Sequence, residues 1–396
     1  MKLAFVVPRY GSSVAGGAET LCREYAERLV PDGHDITVLT SCATDHFYWR
    51  NTLPKGRSEE NGVRIYRFPV SRPKDDRLMM RLEDKLAEGV TLSEAEQYAW
   101  VSNTGYSISM MDAIDATADT VDALVFLPYL FASTVYGARI RPDKSVVVPC
   151  LHDEPYARFS VIQETLNSVA GLVFNSTGEA TLARRILSPR NHTAVAGAGF
   201  DPSAVPSPGA VSRGLGVARY IAYAGRREKG KNWDLLLEWA TLYNQAYSPG
   251  SPLPLVTMGQ GEAAPPGNRL AAATIRDLGF VPDAVRQEVF ASAVAVAQLS
   301  LNESFSYVLP QAWLAAAPVI VHARCEVTRR FCEESGGGIP VECAEEYAEA
   351  VMRLDRDAAL RQQMGMSGRN HVLARYGWTS VLSRLLEGIA AQVAQS

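Results

Sequence analysis

Leu3-Ala-Phe-Val-Val7 is a short, unbroken apolar run that opens into the loop Pro8 to Gly17 and then into an amphipathic stretch. A strand with one face in water alternates apolar and polar residues. A continuous run of this length instead predicts a strand buried on both faces, as in a parallel sheet. A helix is predicted over residues 18–30 and a second strand at Asp35-Ile-Thr-Val-Leu-Thr40, so the chain begins as a β-loop-α-β crossover unit. Residues 122–127, 145–149 and 171–175 supply three more apolar runs separated by helical segments, and Val63-Arg-Ile-Tyr-Arg-Phe68 alternates as a half-exposed strand would. The pattern is that of a doubly wound α/β sheet.

It restarts near residue 200. Asp201 to Pro208 is rich in Pro and Ser and reads as a linker and hinge. Beyond it Tyr220-Ile-Ala-Tyr-Ala224 predicts a strand, followed by a Gly- and charge-rich loop and a helix over 233–247. Further strands are expected at 255–258, 275–279, 293–298 and 318–321. The 396 residues allow about two or three domains, and the repeat reduces this to two tandem Rossmann-like domains, 1–200 and 201–377. A cleft between them is the expected ligand site, since strand C-termini and helix N-termini gather there. Residues 71–118 break the pattern. Arg72, Lys74, Arg77 and Arg81 are interleaved with Leu78, Met79, Met80 and Leu82. This reads either as an excursion of solvated helices or as an acceptor-side flap with weak interfacial character.

Lys plus Arg number 39 against 43 Asp plus Glu, a net charge of -4, which excludes a general nucleic-acid or polybasic membrane binder. The six cysteines, Cys22, Cys42, Cys150, Cys325, Cys332 and Cys343, show no paired spacing, so a reducing cytoplasm is expected. His322 with the last three cysteines matches no short zinc-ligand spacing. Leu3–Val7 is too short for a signal segment, and no apolar run approaches the ~20 residues of a membrane span. Contact with a membrane would be peripheral, on its inner face.

Three loops could carry chemistry. Gly16 and Gly17 precede a helix, where backbone N–H groups can approach an anion; a tight turn is the alternative. The segment is not G-x-G-x-x-G and no acidic residue ends the second strand, so a nicotinamide cofactor is not expected. Ala224-Gly-Arg-Arg-Glu-Lys-Gly-Lys-Asn232 sets Arg226 and Lys231 at the mouth of a predicted parallel sheet, where two cations and a helix dipole could hold a diphosphate. Arg227 and Lys229 read as solvated. Glu303 lies before a predicted helix start with Ser304 and Ser306 as capping candidates. Its carboxylate could accept from sugar hydroxyls or serve the helix end, and Gln311 is expected near the same helical face.

Taken in order, GGAE (16–19), LHD (151–153), VFNS (173–176), AGRREKGKN (224–232), LGFV (278–281) and NESFSYVLPQAW (302–313) resemble glycosyltransferase family 4, the retaining nucleotide-sugar glycosyltransferases of GT-B fold. The resemblance covers nearly the whole chain. It implies that Arg226 and Lys231 hold the donor diphosphate, that Glu303 meets hydroxyls of the transferred sugar as the first acid of E-x7-E, and that His152 contacts that sugar. Donor contacts are implied for Gly16, Gly17, Gly225, Phe305, Ser306 and Tyr307, with Gly279, Phe280 and Val281 under the base. The second acid of the motif is Gln311 here, and the family's glycine after E-S-F is Ser306. A neutral hydrogen bond is worth about 0.5–1.5 kcal/mol against about 1.5–3 for a charged one, so weaker ribose binding is expected from Gln311. The fold also implies that the C-terminal helix, 378–396, returns to the first domain.

The expected activity is metal-independent, front-face hexosyl transfer from an NDP-sugar to a glycan, lipid-linked or small-molecule hydroxyl, as in polysaccharide biosynthesis. No D-x-D triplet lies on a short loop, and no cofactor beyond the nucleotide-sugar co-substrate is expected. Asp153 and Glu154 are the base candidates for an inverting alternative. Other readings are a phosphorylase, a sugar-nucleotide hydrolase or epimerase of the same fold, or a nucleotide-sugar-binding protein without activity.

Overall fold

The structure, a computed structural model, describes residues 1–14, 16–187, 192–206, 213–264 and 274–393. The chain forms two compact units, Met1–Ala198 with Val381–Ser396, and Gly199–Ser380. The last two residues of the expected linker, 207–208, and residues 394–396 of the expected C-terminal helix lie outside the described residues.

In the first unit the strands are β1 (Lys2–Val6), β2 (Asp35–Ser41), β3 (Gly56–Glu60), β4 (Val63–Phe68), β5 (Ala123–Phe126), β6 (Ser145–Val147), β7 (Gly171–Phe174) and β8 (His192–Val195). Among the described residues they form one sheet in the order β3-β4-β2-β1-β5-β6-β7-β8, parallel except for the β3–β4 hairpin. β1 is buried from Leu3 onward, which is why its sequence does not alternate. β3, Gly56-Arg-Ser-Glu-Glu60, has no apolar residue. It exists because β4 offers it a paired edge.

Residues 71–118 are not a solvated excursion. They form the helices Asp76–Ala87, Glu94–Ser102 and Ile108–Ala118, each begun by a side-chain cap from Asp75, Ser93 or Ser107. At Ser93 the cap is a capping box, with Glu96 Oε2 accepting from the Ser93 N–H at 3.0 Å. Leu82, Leu92, Trp100, Val101, Met110 and Ile114 are buried in the core of the unit, each side chain worth roughly 1.5–3 kcal/mol of burial. Met80, Arg72, Arg77 and Arg81 stay exposed.

The second unit contains β9 (Ile221–Ala224), β10 (Leu255–Met258), β11 (Ile275–Asp277), β12 (Ala295–Gln298), β13 (Val319–His322) and β14 (Gly338–Val341), all parallel, in the order β11-β10-β9-β12-β13-β14. β14 contains Pro340, which a central strand would not tolerate, and it sits at the sheet edge. The helix Trp233–Ala246 buries Trp233, Leu236, Leu237, Trp239 and Tyr243 along one face. The C-terminal helix Trp378–Val393 passes from the second unit into the first. Val381, Leu385 and Ile389, spaced by four, are buried, and Arg384 Nη2 donates to the Ala196 carbonyl at 2.7 Å.

Candidate active site

Strand order positions the site in the second unit. The sheet runs outward in both directions from β9 and β12, so the crevice between their carboxyl ends is a topological switch point, the usual ligand site of an open α/β sheet. The loop after β9 carries Gly225 to Asn232, and the loop after β12 carries Leu299 to Tyr307. Asn232, in the left-handed region at φ 52°, donates from Nδ2 to the Leu299 carbonyl at 2.9 Å and ties the two together.

The two loops bring Lys231 and Glu303 into contact. Lys231 Nζ donates to Glu303 Oε1 at 2.7 Å, with the side chains 21% and 10% exposed. The pair is sheltered from water yet reachable. Arg226 is more open and lies 3.1 Å from Glu228. Its neighbour Arg227, read as solvated from sequence, is the buried one. It pairs with Asp277, donates to Thr257 Oγ1 at 3.0 Å and to the Gly261 carbonyl at 2.7 Å, and lies 5.9 Å from the Trp233 ring. Asp277 Oδ1 in turn accepts from the Gly279 N–H at 2.9 Å. Arg227 therefore braces the cationic loop against the Gly279–Val281 segment. No signal in a run of four basic residues distinguishes the one turned inward.

The floor between these segments is glycine. Gly225 N–H donates to the Met258 carbonyl at 3.0 Å and Gly259 N–H to the Gly279 carbonyl at 2.7 Å. Gly259 has φ 132°, and a Cβ there would run into the Gly225 carbonyl group. Phe280 stands 83% exposed beside Gly279, with Val281 half-buried.

Beyond Glu303 the expectation needs correction. The helix is Val308–Leu314, begun by Tyr307 without a side-chain cap, so Ser306 does not cap it. Ser306 instead takes φ 64°, the left-handed region that favours glycine, the residue the resemblance implied at this place. Glu303 lies outside the helix, so it shares no helical face with Gln311. Gln311 lies within the helix, and its carbonyl accepts from Gln287 Nε2 at 3.1 Å. Phe305 is buried in an aromatic cluster with Phe200, Tyr307, Phe331 and Tyr376, leaving its backbone as the part that can meet a ligand.

In the first unit Gly16 precedes the helix Gly17–Leu29. A Cβ at Gly16 would meet the Glu19 carboxylate, which forms a buried ion pair with Arg9. The glycine thus makes room for a structural pair, and Gly17 has open space around it. His152, half-buried after β6, has Nδ1 3.6 Å from Glu154 Oε1, which also accepts from Tyr129 Oη at 2.6 Å. Burial works to raise the Glu154 carboxyl, but the bonds from His152 and Tyr129 hold it below its ordinary value. Asp153 is paired with Arg158 at 2.6 Å and Arg185 at 3.0 Å.

Glu179, absent from the sequence reading, is fully buried under this turn. It accepts from the N–H of Leu151 at 2.6 Å and of Asn175 at 2.5 Å. Burial pushes its carboxyl up to about 8 from 4.5, against the pull of these donors. A carboxyl raised on folding stabilises the fold fully below its unfolded value, and that contribution is lost as pH rises from about 4.5 to about 8. Glu179→Gln removes the titration. In urea unfolding between pH 5 and 8.5, wild-type stability should fall relative to the variant by on the order of a few kcal/mol. A difference that stays flat with pH contradicts this assignment.

Among the described residues no group of three His, Cys, Asp or Glu is arranged to hold a metal ion. Cys22, Cys42, Cys325 and Cys332 are buried free thiols.

Residues 218–357 match the family model described as glycosyl transferases group 1, a span that contains AGRREKGKN, LGFV and NESFSYVLPQAW. No curated protein sequence matches the chain. Among solved structures, sucrose-phosphate synthase from Thermosynechococcus elongatus superposes with a TM-score of 0.74 at 15% identity over 100% of both chains. HepE of Anabaena in complex with UDP gives 0.70 at 17% identity over 99% of this chain and 100% of its own. WaaG, a glycosyltransferase involved in lipopolysaccharide biosynthesis, gives 0.64 at 14% identity over 98% of each chain. These likenesses establish the fold, which is GT-B.

Proposed function

From the premise that this chain is a glycosyltransferase of GT-B fold, with a glycosyl transferases group 1 domain at residues 218–357, we propose that it moves a sugar from an NDP-sugar to a hydroxyl acceptor with retention and without a bound metal. The observation that carries this reading is the Lys231–Glu303 contact at the switch point of the second unit, with Arg226 open on the same loop.

A departing nucleoside diphosphate needs positive charge. Lys231 and Arg226 supply it from a preorganised position, which is the form of stabilisation that most lowers a barrier. Glu303, held by Lys231, offers a carboxylate to hydroxyls of the transferred sugar. As the C1–O bond to phosphate breaks, its electron pair stays on the phosphate oxygen. The acceptor hydroxyl oxygen bonds to C1 from the same face and gives its proton to that oxygen. The resemblance makes His152 the sugar contact offered by the first unit taken by itself; in the second unit the Gly279–Val281 segment is the part proposed to meet the base.

An inverting displacement would need a carboxylate base whose pKa lies near the working pH. Glu154 is held low, and Asp153 is engaged by Arg158 and Arg185, so neither is free to take the acceptor proton. This favours retention. The UDP bound to HepE makes UDP-sugars the first donors to try. The involvement of WaaG in lipopolysaccharide biosynthesis supports a glycan or lipid-linked acceptor, and the exposed Arg72, Arg77, Arg81 and Met80 are the face through which peripheral membrane contact would be made. Among the described residues no helix is long and apolar enough to cross a membrane.

Thermal-shift screening with UDP-, GDP-, ADP- and TDP-sugars should give a shift with one nucleotide class. No shift with any of them would count against the site. Proton NMR of the product should then show the anomeric configuration of the donor. The opposite configuration would overturn retention.

A further inference from the structure

We propose that the loop after β2, residues 45–50, is a stacking platform for a saccharide acceptor, binding a ring remote from the hydroxyl that reacts. The proposal rests on the glycosyltransferase reading above and adds the part of the acceptor that this chain recognises.

The loop is built to hold apolar rings in water. Phe47 is 59% and Tyr48 55% exposed, side by side. An exposed aromatic pair is uncommon without a use. Around them the backbone is tied down: Asp45 Oδ1 accepts from the N–H of Phe47 at 2.9 Å and of Tyr48 at 2.7 Å. Asn51 exchanges two hydrogen bonds with the Val70 backbone, and Thr52 N–H donates to the Cys42 carbonyl at 2.9 Å. Trp49, next in sequence, is turned inward in the left-handed region at φ 54°. There it packs on Ala43 and Val70, with its ring 5.5 Å from that of Phe131. A bulky residue at positive φ is strained, and such strain collects where a neighbouring side chain must be aimed. Here inserting Trp49 leaves Phe47 and Tyr48 outside.

The chemistry around the rings selects the ligand. His46 lies 4.1 Å from Phe47, centroid to centroid, and the Arg50 guanidinium 4.7 Å from the centre of the Tyr48 ring. A purely apolar ligand would have to desolvate these groups, whereas a pyranose offers a C–H face to the rings and a hydroxyl rim to the imidazole and guanidinium. The loop also lies at the carboxyl end of the sheet, on the same side as His152. From β2 to β6 is three strand spacings, about 14 Å. A ring stacked on Phe47 and Tyr48 is therefore not the ring that reacts near His152.

The test is binding of the full chain to maltotetraose, cellotetraose, laminaritetraose and chitotetraose and to their monosaccharides, by saturation-transfer NMR. UDP-sugar binding is read in the same samples. At least one tetrasaccharide should bind better than its monosaccharide. Phe47→Ala with Tyr48→Ala should weaken it by about tenfold or more, with nucleotide-sugar binding and the unfolding midpoint unchanged. Phe47→Tyr, which keeps the ring, should retain binding. The platform is overturned if no tetrasaccharide is preferred, if the double variant binds as the wild type does, or if the variant instead loses sedimentation with 3:1 phosphatidylcholine:phosphatidylglycerol vesicles. Failure of the wild type to bind any nucleotide-sugar would overturn the transferase reading itself, a different result.

Discussion

Lys231→Ala should lower kcat/KM for the nucleotide-sugar by about two to three orders of magnitude, the largest catalytic effect expected from a single residue here. Lys231 does two things through one ammonium group. On the proposed function it faces the leaving diphosphate, and in the structure it holds Glu303 at 2.7 Å. Removing it leaves the Glu303 carboxylate, only 10% exposed, without its cation, so that the remaining charge opposes the phosphate. Glu303→Gln keeps the shape and removes the charge. It should lower kcat more than it raises KM, because the carboxylate matters most as positive charge develops on the sugar. The two changes should be strongly non-additive, since each removes the partner of the other. Transfer within threefold of wild type in either single variant contradicts the assignment.

Gly259→Ala should cost the second unit about 3 kcal/mol or more, the largest stability effect expected from one methyl group. At φ 132° an L side chain is already strained, and the added Cβ would meet the backbone of Gly225, which cannot swing aside as a side chain could. The bond from Gly259 N–H to the Gly279 carbonyl would have to shift too. Urea unfolding measures the loss, and donor affinity should fall with it because Gly225 and Gly279 border the site. Gly17→Ala, with open space around it, serves as the control and should change stability by only about 0.5 kcal/mol. Wild-type stability for Gly259→Ala would mean that the glycine floor is not required.

Legibility of the sequence divided along physical lines. Strands buried on both faces, such as β1, β5 and β9, show as apolar runs because nothing but burial selects their residues. β3 and β14 do not show, since one is polar and the other holds a proline, and both exist through an edge partner supplied by distant chain. The helices of residues 71–118 looked solvated because their charges outnumber the few residues, Leu82, Trp100 and Ile114, that reach the core. Within the site, the pairing of Lys231 with Glu303 follows from strand order rather than from spacing, 72 residues apart in sequence. Arg227 and Glu179 were hidden for a related reason. A charged side chain is turned inward by its partners, and a decisive partner of each, Asp277 for one and the Leu151 amide for the other, is distant in sequence. Ser306 was legible as an anomaly, a serine in a glycine position, and its φ of 64° gives the reason.

The diphosphate of a nucleotide-sugar is proposed to sit at the switch point of the second unit. A crystal structure of the full chain with the nucleotide-sugar that gives the largest thermal shift tests it most directly. Diphosphate oxygens should lie within hydrogen-bond reach of Arg226 and Lys231, with hydroxyls of the sugar on Glu303. A diphosphate bound away from both cations would contradict it.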